Sequence, residues 1–158
     1  MEIKDSGDRR NFETGAVRDI AEGKGRCDLL PLKEVGTLLY NDMVLYNVGN
    51  YVVSGDSRFI YQAIEEFCAH CELKLTTAIL EVSKHYEAGS KKYAERNWEK
   101  GIPLHCYIDS GVRHYLKFLR GDDDEPHDRA FIWNMLGALW TQTNKPELVD
   151  LPFKEIEK

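Results

Sequence analysis

The segment before the carboxyl end of the chain constrains the fold most, because it is apolar around nearly its whole circumference. Pro126 opens this predicted helix, which runs to about Thr143. Its large apolar side chains do not keep to one face; they are Phe131, Ile132, Trp133, Met135, Leu136, Leu139 and Trp140. A helix with this pattern has to be buried among other elements. We therefore predict a helix enclosed by the rest of a helical domain.

Four further segments show the period of amphipathic helices, over 32–46, 57–67, 75–93 and 104–119. The stretch between the first two is rich in turn-forming residues, and we predict a link there with a short extended piece at 51–53. The sequence thus predicts an all-α fold, a compact bundle of about five helices.

We expect one domain over residues 1–158, which is an ordinary domain length. Its site-bearing helices are expected within 75–143, and a peripheral tail with two prolines within 144–158. Residues 1–31 are polar and glycine-rich, so we expect a flexible N-terminal arm that gains order against the body or against a partner subunit.

Composition and charge limit the classes of function. At 42% hydrophobic and 30% charged residues the chain is typical of a globular protein. A net charge of −6 argues against broad nucleic-acid or membrane-surface binding, which need a basic face. The N-terminus lacks the apolar stretch of a secretory signal, and four scattered cysteines do not make a disulfide framework. We expect a cytoplasmic protein with neither nucleic-acid nor membrane partners.

The helix predicted over 104–119 has a charged face opposite its apolar stripe. Asp109, Arg113, Lys117 and Arg120 share this face, with His114 at its edge. One interpretation is a solvated face with an Asp109–Arg113 pair. The other is an anion site, in which arginine and lysine bind phosphate.

A narrow stripe interrupts the apolar surface of the last helix. Its members are His127, Ala130, Asn134, Gly137 and Ala138. Small residues let a backbone or a ligand come close, and a buried Asn134 needs hydrogen-bond partners. It is either a core asparagine satisfied by a neighbouring helix or part of a pocket wall that reads the edge of a base.

Aromatic and cationic residues are dense between positions 84 and 98. Tyr93 and Trp98 are suited to stack on a base, and Lys92 or Arg96 to bind phosphate. His85 lies on a flank beside the apolar stripe of this helix. The alternative is a helix end whose lysines complement its dipole and whose aromatic residues belong to the core.

Three weaker signals do not identify a site. Cys68 and Cys71 form a lone Cys-x-x-Cys without a second pair at zinc-ligand spacing, which indicates ordinary thiols. The dipeptide at 127–128 is His-Asp, but a metal-dependent phosphohydrolase of that type needs further ligands. The segment at 23–26 is basic and glycine-rich without P-loop spacing, so it is a surface loop that could also lend cations to a phosphate.

Carboxylates are the remaining requirement for magnesium-dependent catalysis, because this hard cation prefers oxygen ligands. Residues 125–128 fit a Glu-x-x-Asp spacing, but no complete set falls on clearly facing helices. The candidates are Glu65, Glu66, Glu81, Glu87, Asp109, Asp128 and the acidic turn at 122–125.

Several of these stretches together resemble a phage-borne family, the one named for its dATP/dGTP diphosphohydrolase N-terminal domain and also called MazZ-like. The most specific is Glu-Arg-Asn-Trp-Glu-Lys-Gly-Ile-Pro-Leu at 95–104. The others lie at 14–19, 23–31, 85–89, 92–94, 109–114, 117–121 and 127–134. The resemblance covers 14–31 and about 75–151, and residues 37–73 look like a helical insertion relative to shorter members.

The resemblance implies a phage protein of purine deoxynucleotide metabolism, active in the host cytoplasm. Such proteins are similar to MazG-type helical pyrophosphohydrolases, which cut a deoxynucleoside triphosphate to monophosphate and pyrophosphate with Mg²⁺ or Mn²⁺ and form homo-oligomers. Carried onto this chain, it implies catalytic roles for His85, Glu87 and His114, and metal ligation by Glu87 and Asp109; Asp28 also lies at a matching position. The Glu-x-x-Asp spacing adds Glu125 to the expected metal ligands. It implies substrate binding by Arg18, Lys24, Arg26, Lys92, Tyr93, Arg96, Asn97, Trp98, Arg113, Lys117, His127 and Asn134.

Three functions remain open at this point. The first is the hydrolase, with Arg96, Arg113 and Lys117 on the phosphates. The second is a protein that binds and sequesters a nucleotide without cleaving it, which the incomplete carboxylate pattern favours. The third is a structural role in which the histidines and charges only stabilise an oligomer.

Overall fold

The structure is a computed structural model that describes residues 4–156, the last of them by its backbone alone. Within this range the chain is predominantly helical, as predicted, with seven α-helices and one small sheet. The strands are β1 (Arg9–Asn11) and β2 (Val17–Asp19). The helices are α1 (Leu32–Leu38), α2 (Met43–Ser54), α3 (Arg58–His70), α4 (Leu75–Lys92), α5 (Leu104–Arg120), α6 (His127–Asn144) and α7 (Phe153–Ile156).

Helices α5 and α6 form the centre of the molecule. Gly121 ends α5 in the left-handed conformation, with φ of +90°, and the acidic turn that follows leads directly into α6. The predicted enclosure of α6 is confirmed, since Phe131, Ile132 and Met135 are at most 3% exposed. The Tyr107 ring of α5 lies directly over Gly137, where only a glycine leaves room for it.

The chain between residues 32 and 57 differs from the prediction. The first helix ends at Leu38, and the expected link with its extended piece at 51–53 is helix α2 instead. Asp42 caps α2 by accepting the Leu45 N–H, and Gly49 lets α2 approach α1 closely. Its low-propensity asparagines suggested a turn, but the apolar residues buried along α2 outweigh that local preference.

The N-terminal segment, as far as it is described, lies against the helical body. Strands β1 and β2 form an antiparallel hairpin that pairs Arg9 with Asp19 and Asn11 with Val17. Asn97 binds the backbone of β2 on both sides, accepting the Val17 N–H at 2.8 Å and donating to the Val17 carbonyl at 2.7 Å. The expected arm thus includes a hairpin, and residues 1–3 lie outside the described range.

The expected peripheral tail is also packed into the body. Val149, Leu151 and Phe153 are each at most 8% exposed and join the main core. They alternate with Asp150 and Pro152, a period of two that a search for helical periodicity does not detect. No helix within residues 4–156 combines the length and the apolar character needed to cross a bilayer.

Helices α2 and α3 belong to the same hydrophobic core as α5 and α6. The segment 37–73, predicted as an insertion, is therefore an integral part of one packed body. Its status relative to other members of a family stays a prediction.

Candidate functional site

A cavity of about 450 Å³ opens between the N-terminal hairpin and helices α4, α5 and α6. Its size is within the roughly 300–1,000 Å³ typical of small-molecule sites. The structure brings most of the sequence-predicted site residues to its wall. These are Arg18, Lys24, His85, Lys92, Tyr93, Arg96, Asn97, Trp98, Arg113, His114, Lys117, Glu125 and Asn134.

Cations dominate the cavity wall although the whole chain is acidic. Seven lysines and arginines line it, against three carboxylates, those of Asp5, Asp19 and Glu125. Lys117 projects from α5 and makes no ion pair with a carboxylate of residues 4–156. Lys24 lies 3.7 Å from Asp19, so it is only loosely paired. Three of the seven cations already pair with carboxylates off the wall, in the contacts Lys4–Asp124, Arg96–Glu99 and Arg113–Asp109. The positive charge available to an anionic ligand therefore comes mainly from Lys117 and the remaining wall cations.

Arg113 is held firmly rather than left free in the cavity. One of its terminal nitrogens donates to the buried Asp109 carboxylate at 2.6 Å and to the Gly25 carbonyl at 2.7 Å. Asp109 also accepts the Cys27 N–H at 2.7 Å. The predicted i,i+4 pair therefore exists, and it fixes an arginine at the wall with the loop before α1 packed against it.

Three aromatic rings form another part of the wall, with Tyr86 in contact with both tryptophans. Tyr86 lies 5.9 Å from Trp98 and 5.8 Å from Trp133, measured between ring centroids. The Arg18 guanidinium lies 5.2 Å from the centre of the Trp133 ring and 5.5 Å from that of Tyr107. A flat, partly apolar ligand would find both stacking surfaces and a delocalised cation here.

Asn134 combines features of both interpretations offered by the sequence. Its side chain is 1% exposed, and its amide donates to the Ala130 carbonyl of its own helix. Its oxygen accepts from Arg18 at 3.1 Å. Asn134 thus lines the cavity with its amide already satisfied, and it positions Arg18 rather than offering a free edge to a ligand.

His85 is a partly buried residue whose Nδ1 atom is buried and unsatisfied at the cavity. Its Nδ1 has no hydrogen-bond partner within the described chain, and its ring lies 5.8 Å from that of Trp133. Burial lowers its pKa to about 4, with Arg129, Arg18 and Lys92 adding to the effect. The imidazole is therefore neutral near neutral pH and able to exchange a hydrogen bond with a ligand.

A line of polar groups leads from His114, on the cavity wall, back to the acidic turn. The Nδ1 atoms of His114 and His127 lie 2.9 Å apart, and His127 Nε2 lies 2.7 Å from the Asp124 carboxylate. The Glu125 carboxylate lies 3.9 Å from His114 Nδ1. Burial and the neighbouring His127 hold the pKa of His114 well below its usual range. His127 itself is 2% exposed and lies behind His114 rather than on the wall.

Four predictions about individual residues need correction. Glu87 points away from the cavity on the exposed side of α4, since it is two positions, or about 200°, from His85. Asp109 is committed to Arg113 and to the Cys27 N–H, and so is not free to bind a metal. Arg26 is not on the wall; it forms a bidentate pair with Asp28. His127 is one layer removed from any ligand in the cavity.

The structure does not bring the predicted carboxylate trio for a metal together. The carboxylates of Glu87, Asp109 and Glu125 do not form one of the metal-compatible clusters of the described residues. The clusters there are His114 with Glu125 and His127, and Asp122 with Asp124 and His127. Neither includes Asp128 or the Cys68–Cys71 pair, whose thiols are free.

Several residues of the site were missing from the sequence prediction. Trp133 belongs to the apolar circumference of the last helix, and Tyr86 lies between polar residues at a helical-period position, so neither is recognisable as a site residue from the sequence. Lys4 reaches the cavity through a 2.5 Å pair with Asp124, a contact that joins residues far apart in sequence. The only sequence signal for the Lys4–Asp124 contact is the acidic turn at 122–125, which lies just before the histidine of α6.

Comparison with known proteins supports a specific family. A family model described as dATP/dGTP diphosphohydrolase, N-terminal, matches residues 65–151, which is more than half of the chain. The matched range contains α4, α5 and α6, the three helices that line the cavity. No curated protein and no solved structure matches the chain.

Proposed function

Because the chain belongs to the dATP/dGTP diphosphohydrolase N-terminal family, we propose that it binds purine deoxynucleoside triphosphates in the cavity and hydrolyses them to monophosphate and pyrophosphate. One observation carries this proposal. A cavity with seven lysines and arginines and a cluster of aromatic rings lies in an acidic protein, and the family-matched helices form most of its wall. Cations suit the triphosphate, and rings suit the base.

The triphosphate is assigned to the α5 side of the cavity. Arg113 and Lys117 are one helical turn apart there, and Lys24 of the facing loop also lines the cavity. The preformed Asp109–Arg113 pair means that Arg113 needs little reordering when phosphate arrives. Lys117 has no competing carboxylate partner in residues 4–156, so it is available for an anionic ligand.

The base is assigned to the aromatic rings. Trp98 and Trp133 offer ring faces or edges, and Arg18 supplies a cation over Trp133. His85 is neutral, buried and unsatisfied at Nδ1, so it is the residue best suited to exchange a hydrogen bond with the base. Asn134, expected to read the base, instead holds Arg18 in place.

Hydrolysis between the α- and β-phosphates requires an activated water. The carboxylate trio predicted to hold Mg²⁺ does not assemble, so we derive no step through that ion at those residues. In this proposal the residues of the wall bind and orient the triphosphate and shield it from bulk solvent.

The same observation supports a second candidate function. A protein that binds a purine nucleotide without cleaving it would need the cations and the rings but no carboxylate cluster. Self-association and a place in the cytoplasm of a phage host stay predictions, and light scattering on the pure protein would test the first of them.

The deciding experiment is to incubate the protein with dATP, dGTP, ATP or GTP, each with Mg²⁺ or Mn²⁺, and to separate the products by ion-exchange chromatography. We expect deoxynucleoside monophosphate and pyrophosphate. Lys117→Gln should lower kcat/KM about 10-fold or more, because it removes a charged phosphate contact. Arg120→Gln is the matched control, since Arg120 is on the same helix but pairs with Asp122 outside the cavity.

Intact nucleotide after long incubation, together with a rise in melting temperature, would replace the hydrolase with the sequestering protein. Absence of both turnover and a thermal shift would remove both candidates and leave the structural role.

A further inference from the structure

We propose that His114, His127 and Glu125 form a binding site for a divalent transition-metal ion, with Mn²⁺ preferred over Mg²⁺. The inference deepens the proposed function and rests on it for what the ion does, although binding of the ion can be measured without turnover. The three ligand atoms, two Nδ1 atoms and a carboxylate oxygen, lie within 4.8 Å of one another.

The spacing of the two nitrogens fits neighbouring ligands of one ion. His114 Nδ1 and His127 Nδ1 are 2.9 Å apart. Two ligands about 2.05 Å from a metal are about 2.9 Å apart at a right angle, as in octahedral geometry, and about 3.3 Å apart in a tetrahedron. The 3.9 Å between His114 Nδ1 and the Glu125 oxygen is too long for a hydrogen bond but short enough for both atoms to ligate the same ion.

An outer carboxylate fixes the tautomer that ligation requires. Asp124 accepts from His127 Nε2 at 2.7 Å, so the hydrogen of the neutral ring is at Nε2 and Nδ1 carries a lone pair. A carboxylate behind a histidine is the usual support of a metal-binding imidazole. Lys4 in turn holds Asp124 through a 2.5 Å ion pair.

Either a hydrogen or a cation has to lie between the two Nδ1 atoms, because two lone pairs 2.9 Å apart repel each other. With His127 Nδ1 bare, His114 either donates its own Nδ1 hydrogen to it or turns a second lone pair toward it. A cation stabilises the second arrangement and moves the His114 hydrogen to Nε2. His114 would then present an N–H donor on the cavity wall, where the proposal places phosphate.

Location and donor type favour this cluster over the other one. Asp122 is held by Arg120 in a bidentate pair, and Asp124 is already paired with Lys4, so both carboxylates of the second cluster are neutralised. His114 and Glu125 line the cavity, which leaves the far side of an ion open to a ligand, as in catalytic metal sites. Two imidazoles and one carboxylate suit Mn²⁺, Co²⁺ or Zn²⁺ better than Mg²⁺, which prefers oxygen alone.

The experiment titrates Mn²⁺ into the EDTA-treated full chain without nucleotide and measures free aqueous Mn²⁺ by electron paramagnetic resonance. We expect one bound ion per chain, which about 10-fold excess Mg²⁺ does not displace. Glu125→Gln and His114→Gln should each weaken binding at least 10-fold, and Asp124→Asn about 10-fold through His127. Asp123→Asn is the matched control, since Asp123 is an exposed carboxylate of the same turn outside both clusters.

The outcomes separate this inference from the proposed function. An unchanged free Mn²⁺ signal, or equal losses in Asp123→Asn and Glu125→Gln with circular dichroism showing both variants folded, would overturn the metal site. Turnover by a parent protein that leaves the free Mn²⁺ signal unchanged would keep the hydrolase and remove the site. Stoichiometric, Glu125-dependent Mn²⁺ binding without any turnover would support the site and remove the hydrolase.

Discussion

Two helical glycines show how the surroundings of a single Cα decide the effect of a methyl group. A Cβ at Gly137 would lie 2.2 Å from the Tyr107 ring, which is fully buried, whereas a Cβ at Gly89 would meet nothing within 4 Å. We expect Gly137→Ala to lower the free energy of unfolding by about 1–3 kcal/mol, because the ring and both helices must shift.

Gly89→Ala should change the free energy of unfolding in the opposite direction. Alanine removes the entropic cost of glycine in a helix and should raise the free energy of unfolding by about 0.5–1 kcal/mol. Urea denaturation of both variants measures the two changes. A Gly137→Ala protein as stable as the parent would contradict the tight packing of Tyr107 of α5 against Gly137 of α6.

At the scale of elements, the tail after α6 is tied to the start of α5. Asp150 accepts the His105 N–H at 2.9 Å and also contacts His105 Nδ1. The contact between Asp150 and the His105 ring is the main reason that the pKa of His105 is raised to about 10, and Cys106 adds to the effect. The pKa of His105 is about 6.5 in the unfolded chain and about 10 in the folded one. The His105–Asp150 pair therefore contributes its full stabilisation below about pH 6.5, and this contribution is lost as the pH rises through about 10.

Asp150→Asn should therefore lower the melting temperature most near pH 6 and progressively less toward pH 10. The titrating contribution is about 1 kcal/mol at most, because the Asp150 side chain is 42% exposed. Asp56→Asn is the control: Asp56 contacts the N–H and the guanidinium of Arg58, which does not titrate in this range. Its cost should stay constant with pH, and parallel curves for the two variants would contradict the assignment.

The elements that the sequence predicts correctly are those whose signals are local. Gly121 and Pro126 mark the end of α5 and the start of α6, and both boundaries lie within two residues of the prediction. Helix α2 was missed because asparagines and glycines resemble a turn in isolation, and only burial against α1 and α3 makes them helical. The packing of the tail also depends on contacts between residues far apart in the sequence, such as that between Phe153 and Tyr51, and local patterns do not reveal it.

At the scale of the whole molecule, the cavity wall was largely predictable by residue type, but its chemistry was not. Cations and aromatic residues at helical spacing identified Lys117, Trp98 and their neighbours. Which carboxylates meet depends on rotations and turns that spacing does not determine, so the sequence favours Glu87 and cannot single out Asp124 within the acidic turn. Asn134 shows the same limit, because its partner Arg18 is 116 positions away.

The charge distribution of the molecule leads to a prediction about salt. The chain carries a net charge of −6, yet its cavity wall is rich in cations, so the proposed nucleotide binding would depend on local attraction against an unfavourable overall charge. Salt screens such attraction, with a Debye length of about 10 Å at 0.1 M and about 3 Å at 1 M. The Kd of dGTP, measured by calorimetry with EDTA present, should rise about 10-fold or more between roughly 0.05 and 0.5 M KCl. Binding of deoxyguanosine, which lacks phosphate, should change little.

Two neighbouring lysines of α4 allow the effect of charge inside the cavity on nucleotide affinity to be distinguished from the effect of the net charge of the protein. Lys92 lines the cavity, whereas Lys91 is exposed outside it, and replacing either with glutamine changes the net charge equally. Lys92→Gln should weaken dGTP binding about 10-fold at low salt, with the loss shrinking at high salt, while Lys91→Gln should stay within about 2-fold of the parent. Equal losses in both variants would mean that the net charge of the protein governs binding, and the assignment of the phosphates to this cavity would then fail.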